Sequence, residues 1–422
     1  MVEKLISFSL RNRAIVLLVS ACLFAWGIYS VQQNPIDAIP DLSENQVIVF
    51  TEWMGRSPQV IEDQVTYPLV SNLQGIPKIK NIRASSMFGM SFVYIIFEDN
   101  VDPYWARTRV LERLNYAQRL LPQNVVPTLG PDGTGVGHIF WYTLDAKKMD
   151  LGEQRALQDW YVKFALQTVP GVAEVASFGG FEKQYQLVLD PLKMQYYNVS
   201  IMEVMNVVKS SNNDVGGRKF EMSNMAYIVR GLGYIKNIKD VEDIAIKNYN
   251  SVPVKVSDIG SVQMGGDLRL GIFDQNGTGE VVGGIVVMRY GENADKVIKA
   301  VKLKMEEVQK GLPEGVTFKT SYDRSDLIEK AIESVKGTLL EEMIAVSIII
   351  LLFLFHWRSA LIILIQLPIS VAIGFILLEA FGISSNIMSL TGIALAIGVV
   401  VDDGIVMVEN SYRNISERQD SL

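Results

Sequence analysis

Charge-free runs cover residues 14–31, 359–378 and 380–401, and a fourth apolar stretch, 343–355, extends back to 338 past the Glu341-Glu342 pair. About 20 apolar residues cross a hydrocarbon core of roughly 30 Å. The pattern therefore predicts four transmembrane helices, at 12–31, 338–357, 360–379 and 388–409. A cleaved signal peptide is the alternative for the first, because Lys4, Arg11 and Arg13 stand ahead of it. The run is longer than a usual signal core, and Gln32-Gln33-Asn34-Pro35 is a poor cleavage site, which favours an anchor. Basic residues before the first helix, Arg358 between the second and third, and Arg413 and Arg418 after the fourth fall on one side if both ends are cytoplasmic. Residues 32–337 then lie outside, in the periplasm of a bacterium.

Within that outer segment the pattern changes. Residues 46–53 alternate as a half-buried strand. Residues 58–74 carry helical spacing, with Val60, Ile61, Val65, Leu69 and Leu73 on or near one face. Strands are predicted at 79–85 and 91–97, then a helix over 103–121 with Pro103 at a favoured first-turn position. This βαββα order is the start of a ferredoxin-like split βαβ unit. An echo follows: Leu73-Gln74-Gly75-Ile76-Pro77, a strand, Phe88-Gly89 and a strand ending at Asp99 match Leu166-Gln167-Thr168-Val169-Pro170, a strand, Phe178-Gly179 and a strand ending at Asp190. Leu121-Pro122 and Leu312-Pro313 each end a predicted helix. Two related units are expected, the second interrupted over 191–272 before strand patterning resumes at 280–290. The predicted fold class is thus an α-helical transmembrane bundle carrying an α+β periplasmic domain of repeated ferredoxin-like βαββα units.

Composition narrows the chemistry. The 422 residues carry a formal charge of −7, with 49% hydrophobic residues. This acidity argues against nucleic acid as a partner, since phosphate binding needs clustered Lys and Arg. One cysteine, Cys22, excludes a disulfide framework and a cysteine zinc site. Two distant histidines, His138 and His356, leave no His-rich metal centre, and no nucleophile motif or phosphate loop is present.

The informative segment is the fourth apolar run, where Asp402 and Asp403 interrupt a helix with Ile405–Val408 still apolar beyond them. A charged Asp at mid-membrane costs about 2.5–3.5 kcal/mol, so such groups usually line a polar path and exchange protons. Asp402 and Asp403 are therefore candidates for a proton relay; the bland alternative is a helix that ends near Val401 with both carboxylates solvated. Glu409 falls on nearly the same face as Asp402. Gly392, Ala394, Ala396 and Gly398 would allow close helix packing.

These residues, with Pro35-Ile-Asp-Ala-Ile-Pro-Asp-Leu-Ser43, Gln64-Val-Thr-Tyr-Pro-Leu69, Tyr94-Ile-Ile-Phe-Glu-Asp99, Asp102-Pro-Tyr-Trp-Ala-Arg107, Gly130-Pro-Asp-Gly-Thr-Gly-Val-Gly137, Leu157-Gln-Asp-Trp160, Ala173-Glu-Val-Ala-Ser177 and Asn386-Ile-Met-Ser-Leu390, run collinearly through the chain. In them the chain resembles the resistance–nodulation–division efflux pumps, in the heavy-metal branch that includes copper/silver and cobalt/zinc/cadmium exporters. The resemblance implies a homotrimeric, proton-driven inner-membrane subunit in the lipid bilayer, joined to a periplasmic adaptor protein and an outer-membrane channel. By the same resemblance no resident cofactor is expected, and the expected cargo is Cu(I) or Ag(I). It implies that Asp402 carries the proton, that Arg83 lies near the periplasmic cleft, and that Met388 and Met407 match two positions of a methionine path. Val400 and Leu268 stand where two others would be methionine. Soft thioethers suit Cu(I) and Ag(I); flexible core filling is the ordinary use of Met.

The domain division expected from the resemblance is 1–31 for the cytoplasmic N-terminus and first span, and 32–133 for the first porter subdomain. The second porter subdomain follows in two parts, 134–190 and 273–337, around a docking insertion at 191–272. The remaining spans are 338–410, with a truncated tail at 411–422. The family subunit has two halves of six spans each, so the chain reads as an N-terminal piece lacking the partners expected to pair with Asp402 and Asp403. Asp403 follows Asp402 as in the drug-efflux branch, which keeps an organic-solute exporter as an alternative. A membrane-anchored periplasmic binding or assembly protein without transport activity is the other.

Overall fold

The computed structural model describes residues 2–222, 225–269, 271–354 and 357–419. His356 and the last turn of the second expected span lie partly outside these residues, as does the tail from 420 on.

The first sheet is made of Gln46–Glu52 (β1), Ile79–Met87 (β2), Met90–Phe97 (β3) and Pro127–Leu129 (β4), in the order β2-β3-β1-β4 with every pair antiparallel. Alternation places Val47, Val49 and Thr51 of β1 opposite Ile95, Val93 and Ser91 on the covered face. The helix Pro103–Ala117 lays Ala106, Val110, Leu114 and Ala117 onto that face at helical spacing. It begins at Pro103 because Asp102 caps it, the carboxylate accepting from the Trp105 amide at 2.7 Å. The preceding helix is not regular: Pro58–Ile61 and Tyr67–Leu73 flank a π turn at Glu62–Thr66. The turn brings the Thr66 hydroxyl to 2.8 Å from both Ser86 and Ser91, so this buried hydroxyl is satisfied.

The second sheet draws on Gly133–Asp145 (β5) and Val172–Phe178 (β6). An insertion follows, with strands Lys183–Leu189 (β7), Val215–Met222 (β8), Met225–Gly231 (β9), Ala245–Tyr249 (β10), Val252–Lys255 (β11) and Gly260–Gly266 (β12). The sheet then resumes with Val282–Arg289 (β13) and Thr317–Asp323 (β14). Its order, β14-β5-β13-β6, reads backwards as β6-β13-β5-β14, the strand order of the first sheet. A second π turn, Gln158–Val162, occupies the corresponding helix, and its buried Gln158 amide reaches Tyr142 Oη at 2.9 Å and Ser177 at 3.3 Å.

One strand departs from the sequence reading. The echo makes β7 the counterpart of β3, but β7 pairs with β12, and β13 occupies the place beside β6. The two Phe-Gly pairs explain why. Gly89, at φ +71°, closes the β2–β3 hairpin. Gly179, at φ +75°, turns the chain out of the sheet against the Val281 carbonyl, where a Cβ would collide. The interruption of the second sheet therefore begins directly after β6. The insertion has its own core of Met194, Val204, Val241, Val254, Val256, Ile259 and Val262.

Among the described residues, Arg13–Gln33 and Ile387–Ser411 are long and apolar enough to cross a membrane, and Ile365–Ala380 is a shorter apolar helix. The helix that enters the second expected span starts at Arg324, not 338, and runs unbroken to Leu354. Hydropathy misses its first turns because they are amphipathic: Ile328 lies in the core of the second sheet and Ile332 packs against it. The close-packing glycine also differs from expectation. A Cβ on Gly392 or Gly398 would meet nothing within 4 Å, whereas one on Gly27 would overlap the Ala372 backbone and methyl. The N-terminal helix thus seats directly on Trp357–Ala380.

Candidate functional site

The carboxylate helix is Ile387–Gln419, and its start is built by a polar cap. Asn386 Oδ1 accepts from the amides of Met388 at 3.0 Å and Ser389 at 3.1 Å, while the Asn386 amide donates to Ser389 Oγ at 2.9 Å. These bonds satisfy first-turn groups that have no intrahelical partner. This is the physical content of the Asn386-Ile-Met-Ser motif.

The cap is tied to the chain leaving the N-terminal helix. Ile36 bridges Ser385 in parallel fashion. Ser385 donates to the Pro35 carbonyl at 2.8 Å, Asp37 donates to the Ser385 carbonyl at 3.1 Å, and Ile387 donates to Ala38 at 3.2 Å. The buried Asn34 amide adds a bond to Ser385 Oγ at 2.9 Å. The same short segment also holds the second sheet. Arg324, at the junction of β14 and the long helix, places Nε 3.0 Å from Asp37 Oδ1, with its side chain 4% exposed and that of Asp37 15%. That contact lacks the alignment of a hydrogen bond, but Arg324 Nη1 donates to the Val136 carbonyl. Burial pushes the Asp37 carboxyl up from the ordinary range, against the opposing pull of Arg324 and the Ala38 and Ile39 amides. On Asp323, directly before Arg324, burial also acts, but the Lys302 ammonium and the Ser325 amide and hydroxyl outweigh it and hold that carboxyl low.

Asp402 and Asp403 sit roughly 22 Å along the helix from Ile387 at the standard rise. Both are exposed on the surface of this chain, and among the described residues neither has an ion-pair partner. On the side of this helix that faces Trp357–Ala380 stands a group that hydropathy does not reveal, Gln366. Its amide donates to the Val400 carbonyl at 3.4 Å, and Gly404 is buried against its side chain, where a Cβ would come within 2.8 Å of Oε1. Val400 and Gly404 share a face; Asp402, about 200° round from Val400, points away from it.

The other sequence candidates are dispersed. Met388 and Met407 are both exposed and roughly 28 Å apart along one helix, so they do not share a site within this chain. Arg83 lies on β2 of the first sheet, exposed and 3.3 Å from Glu44. Leu268 is exposed beyond β12, and Val400 is half-buried at the Gln366 contact. Among the described residues no three His, Cys, Asp or Glu side chains are grouped to hold a metal. The buried Asp37–Arg324 pair escaped the sequence reading, because nothing local couples positions so distant; the Pro35–Ser43 motif was its only trace.

Comparison with known proteins gives a consistent set of matches. The model of the AcrB/AcrD/AcrF family matches residues 5–421. The chain is 47% identical over 422 residues to the cation efflux system protein CusA of Escherichia coli K12, covering 99% of this chain and 40% of that protein. It is 47% identical over 420 residues to the putative cation efflux system protein SilA of Salmonella typhimurium, again with 99% and 40% coverage. Against the cobalt-zinc-cadmium resistance protein CzcA of Cupriavidus metallidurans it is 37% identical, covering 100% of this chain and 40% of that one. A crystal structure of a heavy metal efflux pump (crystal form II) superposes with a TM-score of 0.87 at 34% identity, over 97% of this chain and 41% of the other. The chain thus spans about 40% of the length of these relatives.

Proposed function

The chain belongs to the AcrB/AcrD/AcrF family, in its heavy-metal efflux branch, and on that premise we propose that it forms the N-terminal portion of an inner-membrane subunit that exports Cu(I) or Ag(I) in exchange for protons. The cargo rests on the sequence resemblance to the copper/silver group, and the chain is nearer to the cation efflux proteins CusA and SilA, at 47%, than to the cobalt-zinc-cadmium resistance protein CzcA, at 37%. In this proposal four helices span the membrane with the N-terminus cytoplasmic, and the repeated α+β units and their insertion stand in the periplasm. There they meet two further copies, an adaptor and an outer-membrane channel.

The observation that carries the mechanism is the rigid path from the carboxylates to the sheets. Asp402 and Asp403 lie on a helix whose cap is bonded to residues 34–38, and those residues are paired in turn with Arg324 at the end of β14. The membrane potential offers about 2.3 kcal/mol per charge per 100 mV to drive the cycle. Neutralising the pair removes the cost of holding charge in the bilayer, so the helix can shift, and the shift is delivered through the cap to the second sheet. Because both carboxylates face outward here, their partners come from another segment of the assembly.

In a silver-sensitive host lacking its own exporters, the pump containing this chain is expected to restore growth on silver. Asp402→Asn is expected to abolish that protection with trimer formation unchanged. Undiminished resistance in the variant would overturn the relay. Protection against a dye but not silver would overturn the cargo.

A further inference from the structure

We propose that Met54, Met87 and Met90 form a thioether site for a soft monovalent metal ion, Cu(I) or Ag(I), at the tip of the β2–β3 hairpin. The choice of cargo rests on the proposed function; the geometry does not. Met87 and Met90 are directly opposite each other, the last pair of the ladder before the Phe88-Gly89 turn. Opposed residues on an antiparallel pair place their Cβ atoms about 4.5–5.5 Å apart on one face, so two flexible thioethers there can converge on one ion. That face is the open one. Ser91, Val93 and Ile95 point into the core, which leaves Met90, Phe92 and Tyr94 on the other side, with Met87, Ser85 and Arg83 across from them. The pair thus lies on the same face as Arg83.

Met54 supplies the third sulfur. Its Sδ lies 3.0 Å from the position a Cβ on Gly89 would take, in the space that this φ +71° glycine leaves free. The segment carrying Met54 is clamped to the tip by two backbone bonds, Trp53 N to Gly89 O at 2.7 Å and Gly89 N to Arg56 O at 2.9 Å. The charges around the tip are mixed. Glu52 pairs in register with Met90 and offers a compensating negative charge, while the Arg56 guanidinium stacks over Trp53 at 4.7 Å from its centroid.

Core packing does not account for this grouping. Met54 is 50% and Met87 49% exposed, and none of the three belongs to the core beneath the sheet. Methionine earns its usual place by filling irregular interior gaps, a role half-exposed side chains at a hairpin tip do not perform. Neutral thioethers select soft ions; harder divalent ions favour imidazole, carboxylate and water.

The test uses the full chain in detergent with ¹³C-methyl methionine, titrated with silver nitrate in chloride-free buffer. The methyl signals of Met54, Met87 and Met90, assigned by single Met→Leu variants, are expected to shift together and saturate at one ion, and zinc is expected to leave them in place. Met87→Leu with Met90→Leu, a volume-conserving change, is expected to weaken silver binding, read at the remaining Met54 signal, by at least about tenfold, the low end of the loss for a disturbed metal site. Signals that stay unmoved at millimolar silver, or that move equally with zinc, overturn the site. Silver resistance of cells is read separately. Resistance without methyl shifts refutes the tip site and leaves the exporter standing, and methyl shifts without resistance do the reverse.

Discussion

Replacing Arg324 with Ala tests whether the junction between the carboxylate helix and the second sheet is held by its buried ion pair. The guanidinium is almost wholly enclosed, and its partner Asp37 is only slightly more exposed. Removing one member of such a pair costs about 3–5 kcal/mol, because the remaining charge is left uncompensated. Asp37 can take up a proton, which its burial already favours, and this limits the penalty to the lower end. The Val136 carbonyl also loses its donor, a further cost of about 1 kcal/mol. The expected loss is therefore about 3–4 kcal/mol, large against a domain stability of about 5–15 kcal/mol. Guanidinium unfolding of the full chain in detergent measures it. Trp141 is a suitable emission reporter, since it stacks edge-on with Tyr322 of β14 at 5.9 Å. The double variant Arg324→Ala with Asp37→Asn removes both charges and, compared with the two single variants, is expected to recover part of the loss, giving a coupling of about 2–3 kcal/mol between the two positions. Hydrogen exchange at the Ser385 and Ile387 amides, which bond to the Pro35–Ala38 segment, is expected to quicken in the single variant. A cost below about 1 kcal/mol, or simple additivity in the double variant, would refute the assignment of this pair as the strut of the junction.

Gly27→Ala should loosen the N-terminal helix from its neighbour, since the added methyl overlaps Ala372. A loss of about 1–3 kcal/mol is expected, recovered by pairing the change with Ala372→Gly, and thermal unfolding in detergent reads both. Two neighbouring carboxyls should respond to acid with opposite sign. Asp323 is held below the ordinary 3.8, so its contribution is complete above that value and is lost as pH falls through its folded pKa; Asp323→Asn is expected to flatten the decline of melting temperature on acidification. Asp37 is raised above 3.8, so its contribution is complete below that value and is lost as pH rises through its folded pKa; Asp37→Asn is expected to steepen the acid decline, and a flattening there would contradict the assigned shift.

Local rules were enough for much of this chain. Charge-free runs mark where helices can sit in a bilayer, and strand and helix periods over 46–121 reproduce the first unit nearly residue for residue, because each period is set by burial of one face. The Asp402-Asp403 pair stands out in the sequence in the same way, as charge interrupting an apolar run, where a bilayer would make charge expensive. Tertiary structure decided what depends on partners distant in the chain. Whether the strand after β6 folds back beside it or leaves to pair with β12 depends on partners far along the chain, such as the Val281 carbonyl that meets Gly179, and a repeated Phe-Gly looks the same in sequence for both outcomes. The π turns, the close seat of Gly27, and the Gln366 contact beside the carboxylates arise from packing between segments. The start of the long helix at Arg324 does too: its amphipathic turns are stabilised by the sheet they cover rather than by lipid, and only a folded core can tell those two solvents apart.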